Sequence, residues 1–248
     1  TPVQSAPLAE SANWQLVKQI GGSTLAVAAQ DGLLFAGEGT HIIQLDPTSL
    51  GLLAVSNPLT NQIEDLVYAN GNLYAALGTA GLARLDAASL ATAVPQTQDT
   101  NGVAQNLAVR GDRLLVADGA GGVVLTDLNL AVIADSTAVL PVANIVDVAV
   151  DPGTNIIIAA ASTDGIYALD TTGDTFSVTS HLETVGSAEA VWLDGSNVYI
   201  ADSWGGVVTA SLNPDGSLTQ LGQVDLPGWA MDLKVGNGFA YIADGVNG

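Results

Sequence analysis

A segment of about forty residues recurs six times along the chain, and this repeat constrains the fold more than any other feature of the sequence. The clearest copies are residues 106–118, 190–202 and 232–244, and each of them ends on an aspartate. A fixed period in this range is typical of one supersecondary unit stacked on copies of itself. The repeat therefore predicts a modular architecture, although it does not name a substrate or a partner.

Two columns of residues keep the copies in register. Glycines that we expect to close the first turn of each copy recur in steps of 39 to 42 residues: Gly32, Gly71, Gly111, Gly153, Gly195 and Gly236. The residues that open each copy recur in steps of 41 to 43: Thr24, Asp65, Asn106, Asp147, Ala190 and Asp232. Because the two columns agree so closely, we expect six structurally equivalent units.

Each copy has the pattern of an antiparallel sheet. It reads as a strand, a tight glycine turn, a second strand, a glycine-rich loop, a third strand and a looser fourth strand. The strands are apolar at successive positions, as residues 114–117 and 155–159 show, which is typical of a sheet covered on both faces. We therefore predict an all-β fold, a six-bladed β-propeller of four-stranded antiparallel blades.

The recurring pattern reads V-A-V-x-G-x-x-x-Y-I-A-D-x-x-G-G-V/L-x-x-x-D. It resembles the LVIVD-repeat family of β-propellers found in bacterial and archaeal surface and secreted proteins. The resemblance extends from about Thr24 to Gly248, and three copies depart from it at the second acid, where they have Gly37, Leu77 and Ala161. It implies a propeller in a surface setting and no known reaction.

The last blade is incomplete in sequence. We predict an N-terminal extension, residues 1–13, followed by a single propeller domain over residues 14–248, whose sixth copy stops where its third strand would begin. Residues 14–20 occupy the place of a fourth strand before the first copy, so we expect this N-terminal strand to close the last blade. Either the natural chain continues past Gly248, or a neighbouring chain donates the missing strand.

Composition excludes several classes of partner. The longest apolar run, residues 156–161, is far shorter than the roughly 18 residues of a membrane-spanning helix, so no integral membrane segment is expected. The net charge of −20 repels nucleic acid and attracts cations and basic partners. The chain has no cysteine and begins without Met, at Thr1, as a processed chain would. We therefore expect an exported protein, extracellular or on the cell surface.

One column of polar residues is a candidate metal site. In a propeller, as the resemblance implies, the innermost strands begin near a central channel, so the residues that open them would converge there. These candidate ligands are Asp65, Asn106, Asp147 and Asp232. Carboxylate and amide oxygens are the ligands that Ca²⁺ prefers. The alternative is that these aspartates accept hydrogen bonds from the backbone of their own loops.

Two tryptophans beside acidic residues form a candidate ligand or partner site. Trp204 lies in the loop after Asp202. Trp229 lies just before the inner strand of the sixth copy, and the copy itself ends at Asp244. The candidate site therefore consists of Asp202, Trp204, Trp229 and Asp244. Both rings would reach the acidic face between blades five and six. An exposed tryptophan beside carboxylates can stack on a sugar ring or hold a cationic group. The alternative is that both rings pack between the blades.

We predict no catalytic residues. His41 and His181 lie in copies one and four, on opposite sides of a six-fold ring, and Ser203 lacks the context of a nucleophile elbow. The sequence favours a non-enzymatic binding, adhesive or structural module with a protein or glycan partner, or with itself as partner through strand donation. The alternative is a cation-dependent, lactonase-like hydrolase that uses the carboxylates at the rim of the channel.

Overall fold

Five four-stranded antiparallel sheets and one two-stranded sheet build the computed structural model, which describes residues 24–140, 144–151 and 153–245. Every sheet is a meander in which strands that follow one another in the sequence are hydrogen-bonded neighbours. The predicted all-β fold of four-stranded antiparallel blades is confirmed. Residues 14–20, which we expect to close the last blade, lie outside the described residues.

The strands are numbered in chain order. Blades one and two contain β1 (Thr24–Gln30), β2 (Leu33–Glu38), β3 (His41–Leu45), β4 (Leu52–Val55), β5 (Asp65–Ala69), β6 (Asn72–Ala76), β7 (Leu82–Asp86) and β8 (Gln96–Gln98). Blades three and four contain β9 (Asn106–Arg110), β10 (Arg113–Ala117), β11 (Val123–Asp127), β12 (Val132–Asp135), β13 (Asp147–Val150), β14 (Ile156–Ala160), β15 (Ile166–Asp170) and β16 (Ser177–Leu182). Blades five and six contain β17 (Ala190–Asp194), β18 (Asn197–Ala201), β19 (Val207–Leu212), β20 (Leu218–Val224), β21 (Asp232–Gly236) and β22 (Phe239–Ala243).

Helical structure in the described residues is limited to two single 3₁₀ turns, Ala87–Ser89 and Thr172–Asp174. Among these residues, no helix has the length and apolar character needed to cross a bilayer.

Tight turns connect the first and second strands of the blades. In blade two the turn consists of Asn70 and Gly71, both with positive φ, which suits the right-handed twist of a hairpin. In blade six the two positive-φ residues are Asn237 and Gly238. The expectation that Gly236 closes this turn is wrong, because Gly236 is the last residue of β21 and pairs with Phe239.

The first strands of the blades form a ring around a channel. Consecutive inner strands lie side by side from β1 through β5, β9, β13 and β17 to β21. Together they line a cavity of about 810 Å³. The residues that open the blades therefore stand at one end of a shared channel.

Blade-to-blade packing follows one rule at five junctions. The second residue of an inner strand belongs to the same apolar cluster as the middle residue of the second strand of the preceding blade. The pairs are Phe35 with Leu66, Tyr74 with Leu107, Leu115 with Val148, Ile158 with Val191, and Tyr199 with Leu233. The inner-strand members of these pairs are only 2 to 5% exposed. Each junction thus contains a continuous apolar layer.

The sixth junction departs from this rule. Val27 pairs with the fourth residue of β2, as its counterparts do in the other blades, yet it is 60% exposed. Tyr241, the middle residue of β22, is 52% exposed. In the described part of the chain, β22 has no partner on its outer edge. The ring is therefore open between blades six and one over these residues.

The same substitution at two equivalent positions tests this arrangement. Val191→Ala removes two buried methyl groups and leaves a cavity, so it should lower the free energy of unfolding by about 2 kcal/mol. Val27→Ala should lower it by less than about 0.5 kcal/mol, because that side chain is exposed. Urea unfolding followed by tryptophan fluorescence measures both. Equal losses would show that blade one packs at this position as the other blades do.

Candidate functional site

One face of the ring carries two sets of loops, and we call it the loop face. It consists of the loops between second and third strands, residues 39–40, 77–81, 118–122, 161–165 and 202–206, the described loops between blades, residues 56–64, 99–105, 136–140, 144–146, 183–189 and 225–231, and residues 244–245. Isolated β-bridges join the two sets: Gly78 with Ala104, Gly119 with Ile145, Ser162 with Ala188, and Ser203 with Ala230. Each bridge links one blade to the loop that enters the next.

A buried carboxylate, that of Asp118, also holds the loop between blades two and three. Asp118 is fully buried, and the N–H of Gly102 donates to its Oδ2 over 2.8 Å while the hydroxyl of Thr100 donates to its Oδ1 over 2.6 Å. Burial raises the pKa of Asp118, and these two hydrogen bonds oppose the rise. The charge-assisted bonds fix the loop that leads into blade three.

The two aspartates that were predicted to contact a ligand or partner, Asp202 and Asp244, make the backbone part of this clamp. The N–H of Gly186 donates to Asp202 Oδ2 over 2.8 Å, and the N–H of Gly228 donates to Asp244 Oδ2 over 3.1 Å. Both carboxylates are buried under the loops that they hold, and the Oδ1 atom of each is buried without a hydrogen-bond partner in the described structure. Asp202 and Asp244 therefore position the loops, and they do not face solvent where a ligand would arrive.

The glycines of this clamp are functional residues that the sequence analysis missed. A Cβ atom at Gly186 would overlap the carbonyl oxygen of Asp202, and one at Gly102 would overlap that of Asp118, so no larger residue fits. Each glycine stands sixteen residues before its aspartate. That constant spacing in three copies was the sequence signal that could have revealed the clamp.

The two predicted tryptophans lie on neighbouring loops of the loop face. Ser203 and Ala230 exchange two backbone hydrogen bonds of 3.0 and 3.1 Å, and Trp204 and Trp229 are next to them in the sequence. Trp204 is 56% exposed and Trp229 is 64% exposed, and Met231 beside them is also exposed. The rings are therefore not packed between the blades. We call Trp204, Trp229 and Met231 the aromatic surface.

No other described junction carries such a pair. The residues at the same positions beside the other three bridges are Thr79 with Val103, Ala120 with Asn144, and Thr163 with Ser187. The repeat therefore supplies this bridge at four of the described junctions, and among these only the junction between blades five and six carries large aromatic side chains beside it.

The candidate metal ligands lie at the channel, where two aspartates join neighbouring blades. The N–H of Leu107 donates to Asp65 Oδ2 over 2.8 Å, and the N–H of Val191 donates to Asp147 Oδ2 over 2.7 Å. An inner strand is an edge strand, so its outward N–H groups need acceptors, and these carboxylates provide them. Asp232 instead accepts a bond from the N–H of its own neighbour, Leu233, over 2.7 Å.

Burial controls the charge of the channel acids. Burial raises the pKa of Asp147 to about 7, with hydrogen bonds from Val191 and Val148 opposing the rise and the charges of Asp65 and Asp232 adding to it. Burial also raises the pKa of Asp65, where the hydrogen bond from Leu107 opposes it. The two carboxyl groups that join blades therefore hold protons more tightly than an exposed aspartate does.

The predicted metal ligands line one channel but do not form a compact cluster. Among the described residues, no three Asp, Glu or His side chains are grouped closely enough to hold a metal ion. The Oδ1 atom of Asn106 is buried without a hydrogen-bond partner there. This amide oxygen is thus available to a ligand, whereas Asp65 and Asp147 use their oxygens on the backbone. Calcium binding at these residues stays a prediction.

The histidines belong to blades one and four, as the sequence analysis placed them. His41 opens β3 and His181 lies in β16, where its ring stacks on Tyr167 with centroids 4.2 Å apart. The Nε2 atom of His181 is within 2.6 Å of the carbonyl oxygen of Asp164. Both histidines thus lie outside the channel and the aromatic surface.

The sheets, the channel and the repeated clamp define a β-propeller, and comparisons with known proteins agree. Residues 101–128, 185–209 and 227–248 match the model of the LVIVD repeat, the family that the sequence pattern resembles. No curated protein matches the chain in sequence.

Solved structures show the same fold at low sequence identity. The WD40 β-propeller domain of Doa1 is 16% identical with a TM-score of 0.71, over 91% of this chain and 77% of that one. A chain of the mitotic checkpoint complex is 14% identical with a TM-score of 0.73, over 88% and 70%. The WD40 repeats of RRP9 are 14% identical with a TM-score of 0.69, over 85% and 68%. At these identities the likeness concerns the fold alone.

The raised pKa of Asp147 has a consequence for stability. Between its ordinary value of 3.8 and about 7, the folded state binds this proton more tightly than the unfolded state, so the free energy of unfolding falls as pH rises through that window. Asp147→Asn should make the fall between pH 4 and pH 7 shallower, as measured by urea unfolding at each pH. Asp194→Asn, which removes a charge from an exposed position, is the control. An unchanged pH dependence in the Asp147 variant would contradict this role.

Proposed function

We propose that this protein is a non-enzymatic binding module, exported or displayed at a cell surface, that engages a protein or glycan partner through its aromatic surface. The observation that carries the proposal is the pair of tryptophans on two bridged loops, each more than half exposed on the loop face. An exposed tryptophan leaves on the order of 100 Å² of apolar area in water. Tryptophans that gain burial on association are among the residues that contribute most to binding.

The clamps make this surface rigid before a partner arrives. The loop that carries Trp229 is held by Asp244 on one side and by the bridge from Ser203 on the other. The loop that carries Trp204 takes part in the same bridge. Loops ordered in advance lose little conformational entropy on binding, which favours affinity. The same rigidity suits an adhesive or structural role, in which a contact must resist load.

The family resemblance and one structural neighbour support a role in association. LVIVD-repeat propellers resemble this chain in repeat and fold and are found in surface and secreted proteins. One solved neighbour is a chain of the mitotic checkpoint complex, so in that case the fold is part of a protein assembly. Self-association is included in the proposal, because β22 has an edge without a partner among the described residues and Tyr241 is exposed there, which offers a place for a donated strand. Melting temperatures that rise with protein concentration would support it.

A second candidate is a cation-dependent hydrolase that uses the rim of the channel. It is favoured by one observation: the Oδ1 atom of Asn106 is buried without a hydrogen-bond partner among the described residues, in the channel that Asp65, Asp147 and Asp232 also line. A calcium ion there would give the amide oxygen a partner and would polarise a carbonyl group of a substrate.

Substitution of the tryptophans tests the binding module. Labelled protein is applied to glycan and peptide arrays, and the ligands retained by the natural chain are then titrated. Trp204→Ala and Trp229→Ala should each weaken binding at least about tenfold, because each removes a ring from the contact. Leu221→Ala, an exposed apolar residue on β20 of blade five, is the matched control and should bind normally. Equal binding by all variants would place the interaction elsewhere.

Calcium titration tests the hydrolase. If the channel holds calcium, millimolar calcium should raise the melting temperature and release heat on mixing, and Asn106→Leu should abolish both effects. Calorimetry and thermal melting measure them. Neither effect in the natural chain would remove this candidate.

A further inference from the structure

The loop face has a one-sided charge distribution. Its described loops contain nine acidic residues and no Lys or Arg; the acids are Glu64, Asp99, Asp118, Asp164, Glu183, Glu189, Asp202, Asp225 and Asp244. Three of them are the buried clamps, and the others reach solvent at least in part. A partner that approaches the tryptophans therefore meets only negative side chains on these loops.

The described cations all lie elsewhere. Arg110 and Arg113 flank the turn between β9 and β10, on the opposite face, and Arg84 lies within β7. Arg113 pairs with Asp112 and Asp174, so its charge is already balanced. Lys234 lies in the channel, with its Nζ atom 5.0 Å from the centroid of the Trp192 ring. Nothing cationic in the described structure thus neutralises the loop face.

Two acidic residues lie on the loops that adjoin the tryptophans. The backbone of Asp225 lies against Gly206, two residues beyond Trp204, and Asp225 is exposed. Glu189 ends the neighbouring loop, the one that the Asp202 clamp holds. Aromatic rings attract a cation through their faces, and nearby carboxylates add a Coulombic attraction. The contact between Lys234 and Trp192 is the same pairing within this chain.

We infer that the partner of the aromatic surface is a positively charged polypeptide segment, whose Lys or Arg side chains stack on Trp204 and Trp229 while Asp225 and Glu189 balance their charge. This inference rests on the proposed binding function, and it specifies the chemical class of the partner. A neutral glycan would use the rings and gain nothing from the acidic loops. A nucleic acid or an anionic glycan would be repelled by them.

Short synthetic peptides test the inference on the full chain. One alternates serine with arginine, one replaces each arginine with citrulline, its neutral isostere, and one uses glutamate. We expect the arginine peptide to bind, the citrulline peptide to bind at least about tenfold more weakly, and the glutamate peptide not to bind. Fluorescence anisotropy of labelled peptide measures each affinity, and raising the salt from about 50 to 200 mM should weaken the first.

Variants separate the aromatic contribution from the general charge. Trp204→Ala and Trp229→Ala should each weaken the arginine peptide about tenfold, and Trp229→Phe should retain part of the affinity. Asp225→Asn and Glu189→Gln should weaken binding and reduce its salt dependence. Asp194→Asn removes one exposed acid from blade five away from the loop face and should leave the affinity unchanged. Circular dichroism melting confirms that each variant is folded.

Failure of this inference can be told from failure of the proposed function. If citrulline and arginine peptides bind equally and both lose affinity in the tryptophan variants, the aromatic surface binds but the charge is irrelevant, and only this inference falls. If the arginine peptide binds the tryptophan variants as well as the natural chain, attraction to an acidic protein explains the binding and both fall. If the arginine peptide does not bind while a neutral glycan does through the tryptophans, the glycan replaces the basic partner.

Discussion

The burial of each sheet against its neighbours is the interaction on which the rest of the structure depends. A four-stranded blade of this size has two apolar faces and cannot cover either of them alone. At five junctions, the second residue of an inner strand completes the apolar layer of the preceding blade. The channel exists because these layers hold the inner strands in a ring. At the sixth junction, Val27 and Tyr241 have the chemistry for the same contact and remain in water over the described residues.

Polar bonds then fix the loops that packing alone would leave free. The Asp202 and Asp244 carboxylates lie under the loop face and bind backbone N–H groups, and Asp65 and Asp147 do the same for the inner strands at the channel. Burying a carboxylate is costly unless it is hydrogen-bonded. An arrangement of the loops that breaks these hydrogen bonds is therefore disfavoured. The aromatic surface is rigid for this reason, although neither tryptophan makes the bonds itself. Aspartates of two repeated columns thus hold the scaffold together.

Most of the fold could be predicted from the sequence, because each copy of the repeat has the same pattern of apolar strands and glycine turns and so forms the same unit. Strand, turn and strand recur at each copy, so the identity of one blade established the others, and Asp65 of the opening column lies at the channel as expected. The sequence was less informative about individual turns and hydrogen bonds. Gly236 was expected to close a turn that Asn237 and Gly238 form, because both patterns offer glycine beside a polar residue. The Gly186 clamp was missed, since the sixteen-residue contact becomes meaningful only when the loop folds back over the aspartate.

The sequence by itself determined that this protein is a ring of β-sheet blades with a strongly negative charge, since period, apolar pattern and composition are properties of the linear chain. It also singled out Trp204 and Trp229 by their positions beside acids. Only the tertiary structure decided which acids are buried. Asp202 and Asp244 accept hydrogen bonds from backbone N–H groups beneath the loops, while the exposed Trp204 and Trp229 lie on two loops that a β-bridge joins. The direction in which a side chain points depends on contacts between residues far apart in the chain, and a repeat pattern contains no record of that direction.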